Sequence, residues 1–169
     1  MYNYVPVERN QLKEELDSLN RFDRFEQEEC HKMIKDIIFL EREQETMKIE
    51  LALKPDFNLL DAFKTIDIQQ KGWVSFQELS ETLNRYQEID TFSLQGMQNM
   101  QLFFKRYDTN KDGKLSLAEF CKAFTPIGKE YATLVQGRAE FYAKKWLHPT
   151  EYFNQETRRE LRNLWLAML

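Results

Sequence analysis

The sequence predicts an all-α chain, and three observations carry that prediction. Residues 7–54 contain neither Gly nor Pro and are rich in Glu, Lys, Gln, Arg, Leu and Met, which favour the helix. The full 169 residues hold only 5 Gly and 4 Pro, too few for a chain of many tight turns. From Pro55 to about Phe124 two similar units follow one another. The expected organisation is a long N-terminal helical extension over 1–54, the paired units over 55–126 and a C-terminal helical extension over 127–169.

Composition narrows the function classes. Hydrophobic residues make up 42 % of the chain and aromatics 14 %, enough to build a core, so a fully disordered chain is excluded. Acids number 28 against 24 bases, a net charge of −4, which makes nucleic acid a poor default partner. Cys30 and Cys121 lie far apart without a CxxC neighbour, so they read as small hydrophobes in a reducing, intracellular setting. The first residues show no basic start followed by an apolar run, so no signal peptide is expected. No stretch approaches 18 uncharged apolar residues, so no membrane span is expected.

The first element is expected to be long. At 1.5 Å per residue an unbroken helix over 7–54 would reach about 72 Å. Its apolar residues follow a seven-residue pattern, with Leu12, Leu19, Met33, Leu40 and Met47 on one seam position and Leu16, Cys30, Ile37 and Leu51 on the other. The seam breaks at Asp23 and Glu26, so the segment is one helix with a stutter or two helices meeting near Asn20. The stripe either packs on the rest of the chain or forms a coiled coil or a rod docked on a protein partner.

Pro55 ends that helix, and Asp56 is a plausible N-cap for a helix over 57–66. After Pro126 and Gly128 a helix over 129–146 is expected, with Gly137 its weak point and Pro149 beyond it. A last helix runs to Leu169. Thr157 and Glu160 are spaced as its capping box, and Asn154 is an equally good cap. Leu161, Leu164, Trp165 and Met168 share one face of it, and Arg158, Arg159 and Arg162 make its start basic. Such a basic amphipathic helix with a Trp anchor packs on its own core, fills the apolar groove of the paired units, or engages a partner.

The chemistry lies in residues 108–119, which read Asp-Thr-Asn-Lys-Asp-Gly-Lys-Leu-Ser-Leu-Ala-Glu. Asp108, Asn110 and Asp112 alternate along the first half, Gly113 permits a sharp turn, and Glu119 closes the segment. Ca²⁺ is a hard cation that takes six to eight oxygens at about 2.3–2.6 Å. The donors expected here are the side chains of Asp108, Asn110, Asp112 and Glu119 and the backbone carbonyl of Lys114, with Ser116 ligating directly or through water. A loop filled by Mg²⁺ or left empty is the alternative. Met97, Met100, Phe104 and Tyr107 before the loop, and Phe120 and Phe124 after it, are its expected apolar flanks.

These residues resemble the EF-hand family, the calmodulin superfamily. The resemblance implies a pair of helix–loop–helix units with their loops back to back. The upstream partner has the opening pattern Asp61-Ala62-Phe63-Lys64-Thr65-Ile66-Asp67, then a loop over 67–78. Asp67, Gly72, Ser75 and Glu78 are in place there, and Val74 is in register with Leu115. Gln69 is only a neutral donor, and Lys71 stands where an oxygen is needed. A cation in the ring repels Ca²⁺ and offers no lone pair, so this loop is expected to be structural. The two ends, around residues 55–63 and 156–165, resemble protist EF-hand proteins of cilia and calcium-responsive cytoskeleton.

Nothing in the sequence points to catalysis. His31 and His148 have no Cys or acid partners at zinc spacing, and there is no GxGxxG, P-loop, nucleophile elbow or HExxH. The expected function is a cytoplasmic calcium-binding regulator or adaptor whose helices dock on a protein partner. The alternative is a structural component of a ciliary, axonemal or other cytoskeletal assembly, with the paired units as scaffold.

Overall fold

A computed structural model describes residues 23–142 and 145–169. The order of elements is α1 (Arg24–Leu53), α2 (Leu59–Lys64), β1 (Trp73–Ser75), α3 (Phe76–Gln87), α4 (Leu94–Tyr107), β2 (Lys114–Ser116), α5 (Leu117–Phe124), α6 (Lys129–Gln136) and α7 (Gln155–Met168). The fold class is all-α, with one two-stranded antiparallel ladder among the described residues. The chain divides into two units, 1–41 and 42–169.

The described helix α1 begins at Arg24, so residues 7–54 are not one unbroken helix. Asp23 Oδ1 accepts from the Glu26 N–H at 2.8 Å, and Glu26 Oε2 accepts from the Asp23 N–H at 2.9 Å. This is a reciprocal cap. The two charges that break the seven-residue seam are therefore a helix start. Asn20, and the seam positions Leu12, Leu16 and Leu19, lie outside the described residues.

Within the first unit the apolar side chains of α1 face solvent: Phe25, Met33, Ile34, Ile37, Ile38, Phe39 and Leu40 are each about half exposed or more. Cys30 is exposed, so it does not serve as the small buried hydrophobe expected, whereas Cys121 is half-buried. Within the second unit the same helix is used internally. Leu51 and Ala52 are buried, Met47 packs on the core, and the Gln44 amide donates to the Ala167 carbonyl at 2.6 Å.

Helix α2 starts later than Asp56 would allow. Its cap is Asn58, whose side chain accepts from the Asp61 N–H. Asp56 is engaged elsewhere, accepting from the Asn154 N–H at 2.8 Å and the Thr157 hydroxyl at 2.6 Å. Helix α6 ends at Gln136 rather than running to 146. Beyond it the Arg138 guanidinium donates to the carbonyls of Lys54 and Phe57 at 2.6 and 2.9 Å, which turns the chain back across the start of α2. Asp61, fully buried, accepts there from the Phe141 N–H, and Lys64 pairs with Asp61 and Glu140. Helix α7 is capped by Asn154, which settles the choice between the two caps.

The core of the second unit is aromatic. Trp165 of α7 is fully buried, with its ring 5.5 Å from Phe103, 6.2 Å from Phe120 and 4.8 Å from Phe124. Leu161, Leu164 and Met168 are buried beside it. The C-terminal helix thus occupies the apolar face between the helices flanking loop 108–119. Arg162 fixes the outer side by donating to the carbonyls of Gln87 and Glu88.

Candidate metal centre

Loop 108–119 starts at the C-cap of α4 and ends in the first turn of α5. Its polar side chains fold back on the backbone in sequence. Asp108 accepts from the Asp112 N–H at 3.2 Å and the Gly113 N–H at 2.8 Å. Asn110 accepts from the Asp112 N–H at 3.0 Å, and Asp112 from the Lys114 N–H at 2.9 Å. These short-range bonds wind the loop into a fixed coil. Gly113 sits at φ 74°, in the left-handed region that a residue without Cβ enters freely.

Glu119 closes the loop from the other end. It forms a capping box with Ser116: its Oε2 accepts from the Ser116 N–H at 3.0 Å and from the hydroxyl at 2.7 Å. Its Oε1 reaches ten residues back to the Thr109 N–H at 2.9 Å and hydroxyl at 3.1 Å. Burial alone pushes this carboxyl up. The Ser116 and Thr109 donors outweigh it and hold the pKa at about 2 against an ordinary 4.5.

The ladder joins the two loops back to back. Val74 pairs with Leu115, Trp73 with Ser116 and Ser75 with Lys114. Val74 and Leu115 are buried, as their expected contact requires. The Lys114 ammonium lies 4.1 Å from the centre of the Trp73 ring. A lysine side chain carries no oxygen, so the backbone carbonyl is the one this residue offers.

The flanks differ from expectation in one place. Met100 and Phe104 are buried and Tyr107 packs on the core, but Met97 is exposed, and Phe103 takes the inward position. Phe120 and Phe124 are buried and stacked at 4.2 Å. Thr109 also serves the loop, through its N–H and hydroxyl on Glu119, and spacing does not point to it. Position 2 of such a loop carries no ligand, and only the long-range bond to Glu119 reveals it.

The first loop has the same backbone. Asp67 accepts from the Lys71 and Gly72 N–H groups at 3.0 and 2.7 Å, matching Asp108. Ser75 and Glu78 form the same capping box. Gln70 and Lys111 both stand at φ 60°, and Gly72 and Gly113 at φ 79° and 74°. The loops differ in side chains: the Lys71 ammonium lies 2.5 and 2.7 Å from the two oxygens of Glu78.

Among the described residues no group of three or more His, Cys, Asp or Glu side chains converges as a ready-made metal cluster. The donors of 108–119 are of a different kind: two aspartates, an amide, a carbonyl and a glutamate. Such an oxygen-only set fits a hard cation such as Ca²⁺ rather than zinc.

Among the described residues no helix is long and apolar enough to cross a membrane. Comparison with the curated proteins and with the solved structures gives no significant match. None of these comparisons supports the likeness of residues 55–63 and 156–165 to ciliary proteins. Residues 56–125, under half of the chain, match the family model of an EF-hand domain pair. EF-hand domains bind Ca²⁺ generally, so the match supports a calcium-binding EF-hand protein.

Proposed function

We propose that the protein is a cytoplasmic calcium-binding regulator or adaptor with one functional site and no catalytic role. Asp108, Asn110, Asp112 and Glu119 supply side-chain oxygens, and Lys114 supplies its carbonyl. The observation that carries this reading is the contrast between two loops of one backbone. Loop 108–119 presents oxygens at positions 1, 3, 5 and 12, whereas loop 67–78 presents an ammonium at position 5 against Glu78.

The seating of α7 supports a particular form of regulation. Trp165 fills the apolar face beside the site, so this EF-hand pair holds its own helix rather than an open groove. Calcium then acts by changing how α7 is held. The exposed apolar side chains on residues 25–40 supply a docking face for a protein partner. That same face favours a second reading, a structural component of a ciliary or other cytoskeletal assembly with the EF-hand pair as scaffold.

The test is a calcium titration by calorimetry on the full chain, with about millimolar Mg²⁺ present. One site in the sensor range of about 10⁻⁷–10⁻⁵ M is expected. No heat of binding would remove the regulatory reading and leave the structural one. Two sites of similar strength would overturn the assignment of loop 67–78.

A further inference from the structure

The first loop is organised to the same standard as the second, although its ligands are wrong for calcium. Its Asp67 accepts the same two backbone N–H groups, its Ser75 and Glu78 cap the next helix in the same way, and its left-handed positions coincide. What differs is the group that meets the closing glutamate. In loop 108–119 the two oxygens of Glu119 are held by N–H and hydroxyl donors of Thr109 and Ser116. In loop 67–78 both oxygens of Glu78 grip the Lys71 ammonium, at 2.5 and 2.7 Å.

The grip has a second side. The Lys71 ammonium lies 3.7 Å from the centre of the Trp73 ring, within the range of a cation–π contact. Trp73 belongs to β1 and faces Ser116 across the ladder, and Lys114 of the other loop approaches the same ring at 4.1 Å. The ammonium therefore ties the closing glutamate to the strand that joins the two loops.

We propose that the Lys71 ammonium is the resident cation of the first loop. It is a positive charge attached to the chain that performs for residues 67–78 what a bound divalent ion performs for an ordinary EF-hand loop. It neutralises Glu78, draws position 12 over the loop and keeps the first half of the ladder formed at any calcium concentration. A tethered cation has no dissociation equilibrium, so this loop stays closed when free calcium is absent. Loop 108–119 then meets a strand partner already in place, and the pair titrates as one independent site instead of two cooperative ones. The role of Lys71 within its own loop does not depend on whether loop 108–119 binds calcium; the single-site titration rests on the function proposed above.

The test is amide hydrogen exchange on the full chain, read at Gly72, Val74 and Ser75, with helix α7 as the folding control. In the unaltered protein these amides are expected to exchange within about twofold of the same rate in chelator and in calcium. Lys71→Met, which keeps the length and removes the charge, is expected to speed their exchange at least tenfold while α7 stays protected. Lys71→Arg is expected to retain protection. Gln69→Asp combined with Lys71→Asp exchanges the tethered cation for oxygen ligands. It is expected to lose protection in chelator and regain it in calcium.

Protection of Lys71→Met within twofold of the unaltered protein would overturn the proposal. So would a double variant that calcium does not restore, because a cation at that place would then not be what orders the loop. Should Lys71→Met fail to fold, the double variant and the chelator comparison on the unaltered protein decide the question.

Discussion

Glu119 carries a carboxylate whose bonds to Ser116 and Thr109 keep it ionised far into acid. Glu78 is held as far down by a different set of partners. Burial pushes it up, but the Lys71 ammonium and the Ser75 donors bring its pKa to about 2 from 4.5. For a carboxylate whose folded pKa lies below its unfolded one, the stabilisation is complete above the unfolded value and is lost as pH falls through the folded one. Both residues place that loss between pH 4.5 and about 2. Urea unfolding followed from pH 7 downward is expected to show no loss from these groups above about pH 5 and a steady decline below. Glu119→Gln is expected to weaken calcium binding by about tenfold or more, since it removes an oxygen and the charge of the closing ligand. Calorimetry giving normal affinity for that variant would remove loop 108–119 as the site.

At the scale of elements, what could be read from the sequence was whatever local spacing determines. The face of α7 that carries Leu161, Leu164, Trp165 and Met168 is buried as a set, so the residues that share a face were legible from helical spacing, while what they meet was not. The boundaries were harder. Asp56 and Asn58 are equally good caps in isolation, and Asp56 is withdrawn from that role by Asn154 and Thr157, about a hundred residues away. Helix α6 stops at Gln136 for a similar reason, with Arg138 committed to the carbonyls of Lys54 and Phe57. The charged pair Asp23 and Glu26 reads as a flaw in a seam until its reciprocal hydrogen bonds show a helix start. The docking of α7 supplies a prediction at this scale. Trp165→Ala removes a fully buried ring in contact with Phe103, Phe120 and Phe124, and is expected to cost about 3–5 kcal/mol in chemical unfolding. It should also raise the binding of an apolar dye. Unchanged dye binding would mean that α7 does not cover the EF-hand face.

At the scale of the whole molecule, the fate of the long apolar seam could not be read from its period. A seven-residue pattern looks alike whether it faces its own chain or another. The structure divides it. Residues from Gln44 to Ala52 serve the core of the second unit, while Met33, Ile34, Ile37, Ile38, Phe39 and Leu40 remain exposed. Six large apolar side chains within eight positions of a helix are more than scattered surface residues, and the docking face proposed above rests on this patch. Ile34→Lys, Ile37→Lys and Leu40→Lys combined bury no less area in the folded chain, because none of the three is buried to begin with. The expected change in stability is therefore within about 0.5 kcal/mol per substitution, read as the thermal midpoint, with calcium binding unaltered. If this patch is the docking face proposed above, any self-assembly seen by sedimentation velocity is expected to be lost in the triple variant. A midpoint lowered by several degrees would assign the stripe to folding. An unchanged midpoint with unchanged association would move the docking surface elsewhere on the chain.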